Sequence, residues 1–186
     1  KRQVDFDDMS ASNAFATQTT PTNDYSDGIV TFSSSGDWKV LDIVGGGFGV
    51  TGLSNPNFLA YNTNVTGSTE EIMFATVVEN VSFKAASSAG TTLTAIAYDE
   101  SNLILETIVI TLTSAAQTIT FNYTNILRIE ISASGGHGGI DDIIYSRTIN
   151  DYDNCSPVTL SASQTAFTCS DVGPNNIIFT ADDGNG

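Results

Sequence analysis

The chain is short of positive charge. Of its 186 residues only 6 are Lys or Arg, against 21 Asp or Glu, which gives a formal net charge of −15 and a sequence pI near 4.1. Binding to nucleic acid draws on counterion release by Lys and Arg, so a nucleic acid partner is excluded and an anionic membrane surface is disfavoured. His137 is the only histidine. A zinc site with two or three histidines therefore cannot form within one chain, and a Ser-His-Asp triad would have to use this one residue of a Gly-rich loop. The two cysteines, Cys155 and Cys169, both lie near the C-terminal end, so no disulfide braces residues 1–149. No apolar run reaches 18 residues, and no apolar segment follows Lys1-Arg2-Gln3, so no helical membrane span is expected; a removed signal peptide is compatible with this start. Gly45-Gly46-Gly47-Phe48-Gly49 lacks the Lys-Ser/Thr and the helix of a phosphate loop.

Helical periodicity is also nearly missing, and what replaces it is alternation. Charged residues make up 15 % of the chain and apolar ones 40 %, which is a globular composition and not a disordered acidic tract. Apolar residues recur at period two between turn formers such as Ser87-Ser88-Ala89-Gly90, which predicts strands at 3–7, 28–33, 38–44, 58–61, 71–76, 80–85, 91–98, 103–112, 118–121, 126–131 and 140–145. So many short strands at this spacing predict an all-β fold, a jelly-roll β-sandwich. Val81, Phe83 and Ala85, then Leu93, Ala95 and Ala97, mark core-facing positions, whereas the evenly apolar 104–112 reads as a strand inside a sheet. The character changes near residue 150. Residues 1–149 are expected to form the main domain, and 150–186, with five acids and no base, a short β-rich extension with strands at 158–161 and 177–180 that belongs to an incomplete second module.

Two acidic clusters stand at opposite ends of the main domain: Asp5, Asp7 and Asp8 near its start, Asp141 and Asp142 near its end. First and last strands of a jelly roll commonly lie side by side, which would bring these carboxylates to one edge. Gathered carboxylates repel unless a cation neutralises them. Ca²⁺ accepts 6–8 oxygens in loose geometry, so it is the expected ion, in a structural role. The alternative is that these side chains point to solvent and cap turns.

Asp5-Phe6-Asp7 and Gly139-Ile140-Asp141-Asp142-Ile143 resemble the D-F-E and I-D-D-I signatures of MAM domains and of calcium-binding jelly-roll carbohydrate-binding modules. Residues 47–57 with Ala60-Tyr61-Asn62, and Val81-Ser82-Phe83 with Ala97-Tyr98-Asp99, are similar to bacterial secreted lectin-like modules. MAM domains carry disulfides that this domain lacks, which favours the bacterial modules. The resemblance implies a secreted or cell-surface, non-catalytic module with a structural Ca²⁺ held by acids of both signatures. The segments Asp153-Asn154-Cys155-Ser156-Pro157, Phe167-Thr168-Cys169-Ser170-Asp171 and Asp182-Asp183-Gly184-Asn185-Gly186 resemble hyalin-repeat or immunoglobulin-like modules. That second resemblance implies an oxidising setting, in which Cys155 and Cys169 pair with each other or one of them lacks its usual partner; two free thiols are the alternative.

Sugar binding needs flat aromatic faces together with planar amides, acids and guanidinium groups. The candidates are Trp38, Phe48, Tyr61 beside Asn62, and Tyr25, with Arg128 at an alternating position and His137 in its loop. The expected function is a polysaccharide- or glycan-binding module within a larger polypeptide, with no catalytic residue. The alternative is a calcium-stiffened spacer of a bacterial adhesin stalk that binds no specific glycan.

Overall fold

A computed structural model of the chain describes residues 1–11, 21, 28–35, 38–43, 49–62, 67–147 and 159–182. The chain divides into two units, Lys1–Arg147 and Thr148–Gly186.

The first unit is all β: β1 (Arg2–Val4), β2 (Val30–Ser34), β3 (Lys39–Asp42), β4 (Asn57–Tyr61), β5 (Thr69–Ala86), β6 (Thr92–Tyr98), β7 (Ile104–Thr111), β8 (Gln117–Phe121), β9 (Ile126–Ser134) and β10 (Gly138–Ser146). Every ladder between these strands is antiparallel. β5 is 18 residues long and serves two sheets. Its first half pairs with β2 and β9, and its second half with β10 and β8. One sheet therefore runs β2-β5-β9-β6-β7, and the other runs β3-β4-β10-β5-β8 with β1 alongside β10.

The inward side chains follow the alternation. Val81, Phe83 and Ala85 of β5 and Leu93, Ala95 and Ala97 of β6 are buried in one core with Ile129, Ile131, Ile140 and Tyr145, so the two sheets close on each other as a jelly-roll sandwich. The first and last strands of the unit lie side by side, with Gln3 opposite Ile144. β4 is buried along its whole length: Leu59 and Tyr61 face the main core, while Phe58 and Ala60 face a second cluster with Leu41, Val50, Leu53 and Ala86.

Two strand expectations change. The strands predicted at 71–76 and 80–85 are one strand that slips register with β9 between Met73 and Val78, where it leaves one sheet for the other. The evenly apolar 104–112 is not inside a sheet; β7 ends the order at an edge, with Ile104 and Val109 about 60 % exposed. Its even hydropathy reflects apolar residues on both faces: Leu105, Ile108, Ile110 and Leu112 pack on the core, while Ile104 and Val109 face outward.

In the second unit β11 (Thr159–Ala162) pairs antiparallel with β12 (Phe179–Asp182). A 3-10 turn at Cys169–Asp171 is closed by a capping box, in which the Thr168 N–H donates to Asp171 Oδ2 at 2.6 Å. These bonds hold the exposed Asp171 carboxyl below its ordinary range. Leu160, Phe167, Val172, Ile178 and Phe179 are all exposed.

Candidate functional site

The outward face of the β2-β5-β9-β6-β7 sheet carries a polar cluster. Register sets Arg128 of β9 between Tyr98 of β6 and Met73 of β5, and one step along it sets Glu130 directly opposite Glu71. Two carboxylates facing across a ladder repel, and the Arg128 guanidinium neutralises them. Its Nη1 donates to Glu71 Oε1 at 2.7 Å and to Glu130 Oε2 at 3.3 Å, and Nη2 donates to Asn102 Oδ1 at 2.6 Å. Ser33 of β2 donates its hydroxyl to Glu71 Oε2 at 2.6 Å. The Ser33 hydroxyl and Arg128 hold the Glu71 carboxyl below its ordinary value, despite partial burial. The guanidinium carbon lies 4.0 Å from the centroid of the Tyr98 ring, a cation–π contact that fixes both groups. Partial burial and the nearby Glu130 push the Tyr98 phenol up.

The β6-β7 turn completes this edge of the face. Asp99 Oδ1 accepts the N–H groups of Ser101 and Leu103, both at 2.9 Å, and Asn102 takes a left-handed φ of 61°, a conformation that Asn tolerates better than most residues. Between this turn and the bend of β5 lies a cavity of about 190 Å³, lined by Met73, Phe74, Leu127, Asp99, Glu100, Asn102 and Arg128.

Of the sugar-contact residues expected from sequence, Arg128 is the one among the described residues that reaches this face. Trp38 is 3 % exposed and Tyr61 wholly buried, so neither offers a ring to a ligand. Trp38 stands edge-on to Phe32, with its indole N–H donated to Ser33 O at 2.7 Å. Tyr61 lies beneath Gly138, and burial raises its phenol strongly. Asn62 is buried as well. Its amide nitrogen donates to the carbonyls of Gly136 at 3.0 Å and Gly135 at 3.2 Å, and its amide oxygen accepts the Ser68 hydroxyl at 2.7 Å. It braces the loop that carries His137, whose carbonyl accepts the Ser87 hydroxyl and whose side chain is half-buried. Phe48, Tyr25 and Cys155 lie outside the described residues; Cys169 is an exposed free thiol.

The five carboxylates expected to hold a cation are used separately. β10 slips register after Asp141, and the φ of 49° at Asp142 sends these two consecutive side chains different ways. Asp142 turns outward to Lys84 Nζ at 2.8 Å and Gln3 Nε2 at 2.9 Å. Asp141 is wholly buried and accepts from Ser54. Asp7 accepts the Asn57 N–H at 3.0 Å, Asp5 the Asp7 N–H at 3.4 Å, and Asp8 is exposed. Among the described residues no three His, Cys, Asp or Glu side chains gather as a metal site. Asp7 and Asp141 do share one target, the 54–57 turn with its cis Asn55-Pro56 bond; the Asn57 side-chain amide there binds the Phe6 and Met9 carbonyls at 2.9 and 2.7 Å.

Sequence reading missed Tyr98, Glu71, Glu130, Asp99 and Asn102 as a group. Their signal was the outward phase of each strand, opposite Leu93, Ala95 and Ala97 for Tyr98 and opposite Ile129 and Ile131 for Arg128 and Glu130.

No family model matches the chain, and no curated protein matches it in sequence. Among solved structures the chain is similar to TmCBM61 in complex with β-1,4-galactotriose, at 14 % identity and a TM-score of 0.45 over 64 % of this chain and 88 % of that one. It is also similar to a family 6 carbohydrate-binding module, at 17 % identity and a TM-score of 0.38 over 63 % and 87 %. A third is CsCBM6-3 from Clostridium stercorarium in complex with cellobiose, at 15 % identity and a TM-score of 0.37 over 76 % and 99 %.

Proposed function

We propose that the 1–147 unit is a non-catalytic, lectin-like carbohydrate-binding module that takes a neutral glycan on the open face of the β2-β5-β9-β6-β7 sheet. The observation that carries this reading is the clamped Arg128, set against Tyr98 and tied to Glu71, Glu130 and Asn102. A sugar ring presents vicinal hydroxyls that both donate and accept, and planar side chains already fixed by one another bind them with little further ordering cost. Three of the five Arg128 donors are used within the cluster, and the Asn102 Nδ2 donors and Asp99 Oδ2 have no partner among the described residues.

Charge supports a neutral ligand. Glu71, Glu130, Asp99 and Glu100 surround a single Arg128, so an anionic glycan would meet repulsion. Charge also speaks against hydrolysis at the facing carboxylates. A glycosidase needs one carboxyl protonated at working pH, and Ser33 and Arg128, which hold Glu71 low, make it a poor candidate for that acid. In this reading the unit sits in a secreted multidomain protein and delivers an attached domain, or a cell, to polysaccharide.

Calcium enters the proposal in a reduced form. Asp7 and Asp141, with the Phe6 and Met9 carbonyls, are the groups around the 54–57 turn that would hold a structural Ca²⁺, and Asp142 is not among them.

Affinity gel electrophoresis against neutral polysaccharides tests the binding function. Retardation on at least one, lost in Tyr98→Ala with the melting temperature kept, is the expected result. Migration unaffected by every glycan would overturn it in favour of a stalk spacer.

A further inference from the structure

We infer that the cavity beside Arg128 receives an acetamido group, so that the glycan carries N-acetylated hexosamine; this rests on the glycan-binding reading of the same face. The cavity exists because β5 slips register with β9 between Met73 and Val78, which opens a hollow opposite Leu127 that the β6-β7 turn walls on its other side. At about 190 Å³ it somewhat exceeds the roughly 150 Å³ apolar cavity that holds benzene. It therefore suits one substituent with part of its ring and not a longer oligosaccharide.

Its chemistry is split. Met73, Phe74 and Leu127 supply apolar lining, while Asp99, Asn102 and Arg128 supply the polar part. A plain hydroxyl directed at the apolar side would lose its water without gaining a partner. An acetamido group divides in the same way as the cavity. Its methyl meets Met73 and Leu127, and its carbonyl accepts a remaining N–H of Arg128 or of the Asn102 amide. Its N–H is donated to Asp99 Oδ2, the oxygen left over when Oδ1 closes the turn. An O-acetyl ester lacks that N–H, and a carboxylate would be opposed by Asp99, Glu100 and Glu130.

Three trisaccharides with one β-1,4 backbone separate the possibilities by calorimetry on the full chain: chitotriose, its fully de-N-acetylated form, and cellotriose. Chitotriose is expected to bind at least about tenfold tighter than either of the others, the scale on which a pocket discriminates a substituent it both encloses and hydrogen-bonds. In Met73→Trp, which fills the cavity, that advantage should fall to within about twofold while the melting temperature holds. Equal binding of cellotriose and chitotriose overturns the inference and leaves the glycan-binding function standing, and so does tighter binding of the de-N-acetylated sugar, which would mean that the acidic rim reads charge. An advantage that survives in Met73→Trp overturns the placement. Failure of all three sugars, together with every neutral polysaccharide, removes the function itself.

Discussion

Asp141 Oδ2 accepts both the backbone N–H and the hydroxyl of Ser54, at 2.6 and 2.8 Å, across 87 residues of sequence. The carboxylate has no exposed surface, and its other oxygen takes the Asp142 N–H at 2.8 Å. The two bonds from Ser54 fix the start of the 54–57 turn to the last strand of the sandwich.

This burial makes stability depend on pH. Desolvation pushes the Asp141 carboxyl from its ordinary 3.8 up to about 7, with the bonds from Ser54 and Asp142 opposing the rise. The folded state then retains a proton that the unfolded chain releases, so this contribution is complete below about pH 4 and is lost as pH rises through 7. In chelator, urea titrations of wild type compared with Asp141→Asn should diverge over that window, by on the order of 4 kcal/mol. Parallel profiles would refute the assignment. Added Ca²⁺ favours the ionised carboxylate, so it should flatten the difference and raise the melting temperature near pH 7 by several degrees; no change with Ca²⁺ would remove the cation from the proposal.

Arg128→Ala should abolish glycan retention and cost only about 1 kcal/mol in stability, since the network that it neutralises is partly exposed. Arg128→Lys should keep most of that stability but not the retention, because an ammonium cannot span Glu71 and Asn102 as the guanidinium fork does. Thermal melts beside affinity gels distinguish these effects, and full retention in Arg128→Lys would sink the role of the fork.

Trp38→Ala and Tyr61→Ala should behave as core truncations. Each is expected to cost about 3–5 kcal/mol, with any loss of retention tracking the unfolded fraction. Normal melting with lost binding in either variant would return these rings to the ligand site.

Gly138→Ala and Gly139→Ala test the close packing of β10 on β4. A Cβ at Gly138 would strike the Tyr61 hydroxyl and lie 2.8 Å from the Ala86 carbonyl, and one at Gly139 would strike the Phe58 ring. Overpacking of this kind costs about 1–3 kcal/mol, measurable by denaturant titration. Wild-type stability in both would show that β4 can retreat.

The legible part of the fold was the alternation. Leu93, Ala95 and Ala97 pointed inward because period two is a property of the extended backbone alone. The adjacency of the first and last strands of the main unit followed from the fold class and holds in the pairing of β1 with β10. The edge position of β7 was not legible, since Ile104 and Val109 are apolar although exposed. Nor was the burial of Trp38 and Tyr61. An aromatic at a strand suits either face, and only the layer packed above it decides which face is wet. The separate uses of Asp141 and Asp142 go with a register slip in β10, a single-residue event that leaves no trace in composition.

The sequence by itself determined the strand-rich class, the inward residues and the excess of negative charge, because each depends on local periodicity or on a count. The tertiary structure decided the site. Ser33, Glu71, Tyr98, Asn102 and Arg128 are scattered over nearly a hundred residues, and they meet because the order β2-β5-β9-β6 places four strands and a turn side by side. Strand order is a global choice, settled by how two sheets close over one core, and no single strand carries it.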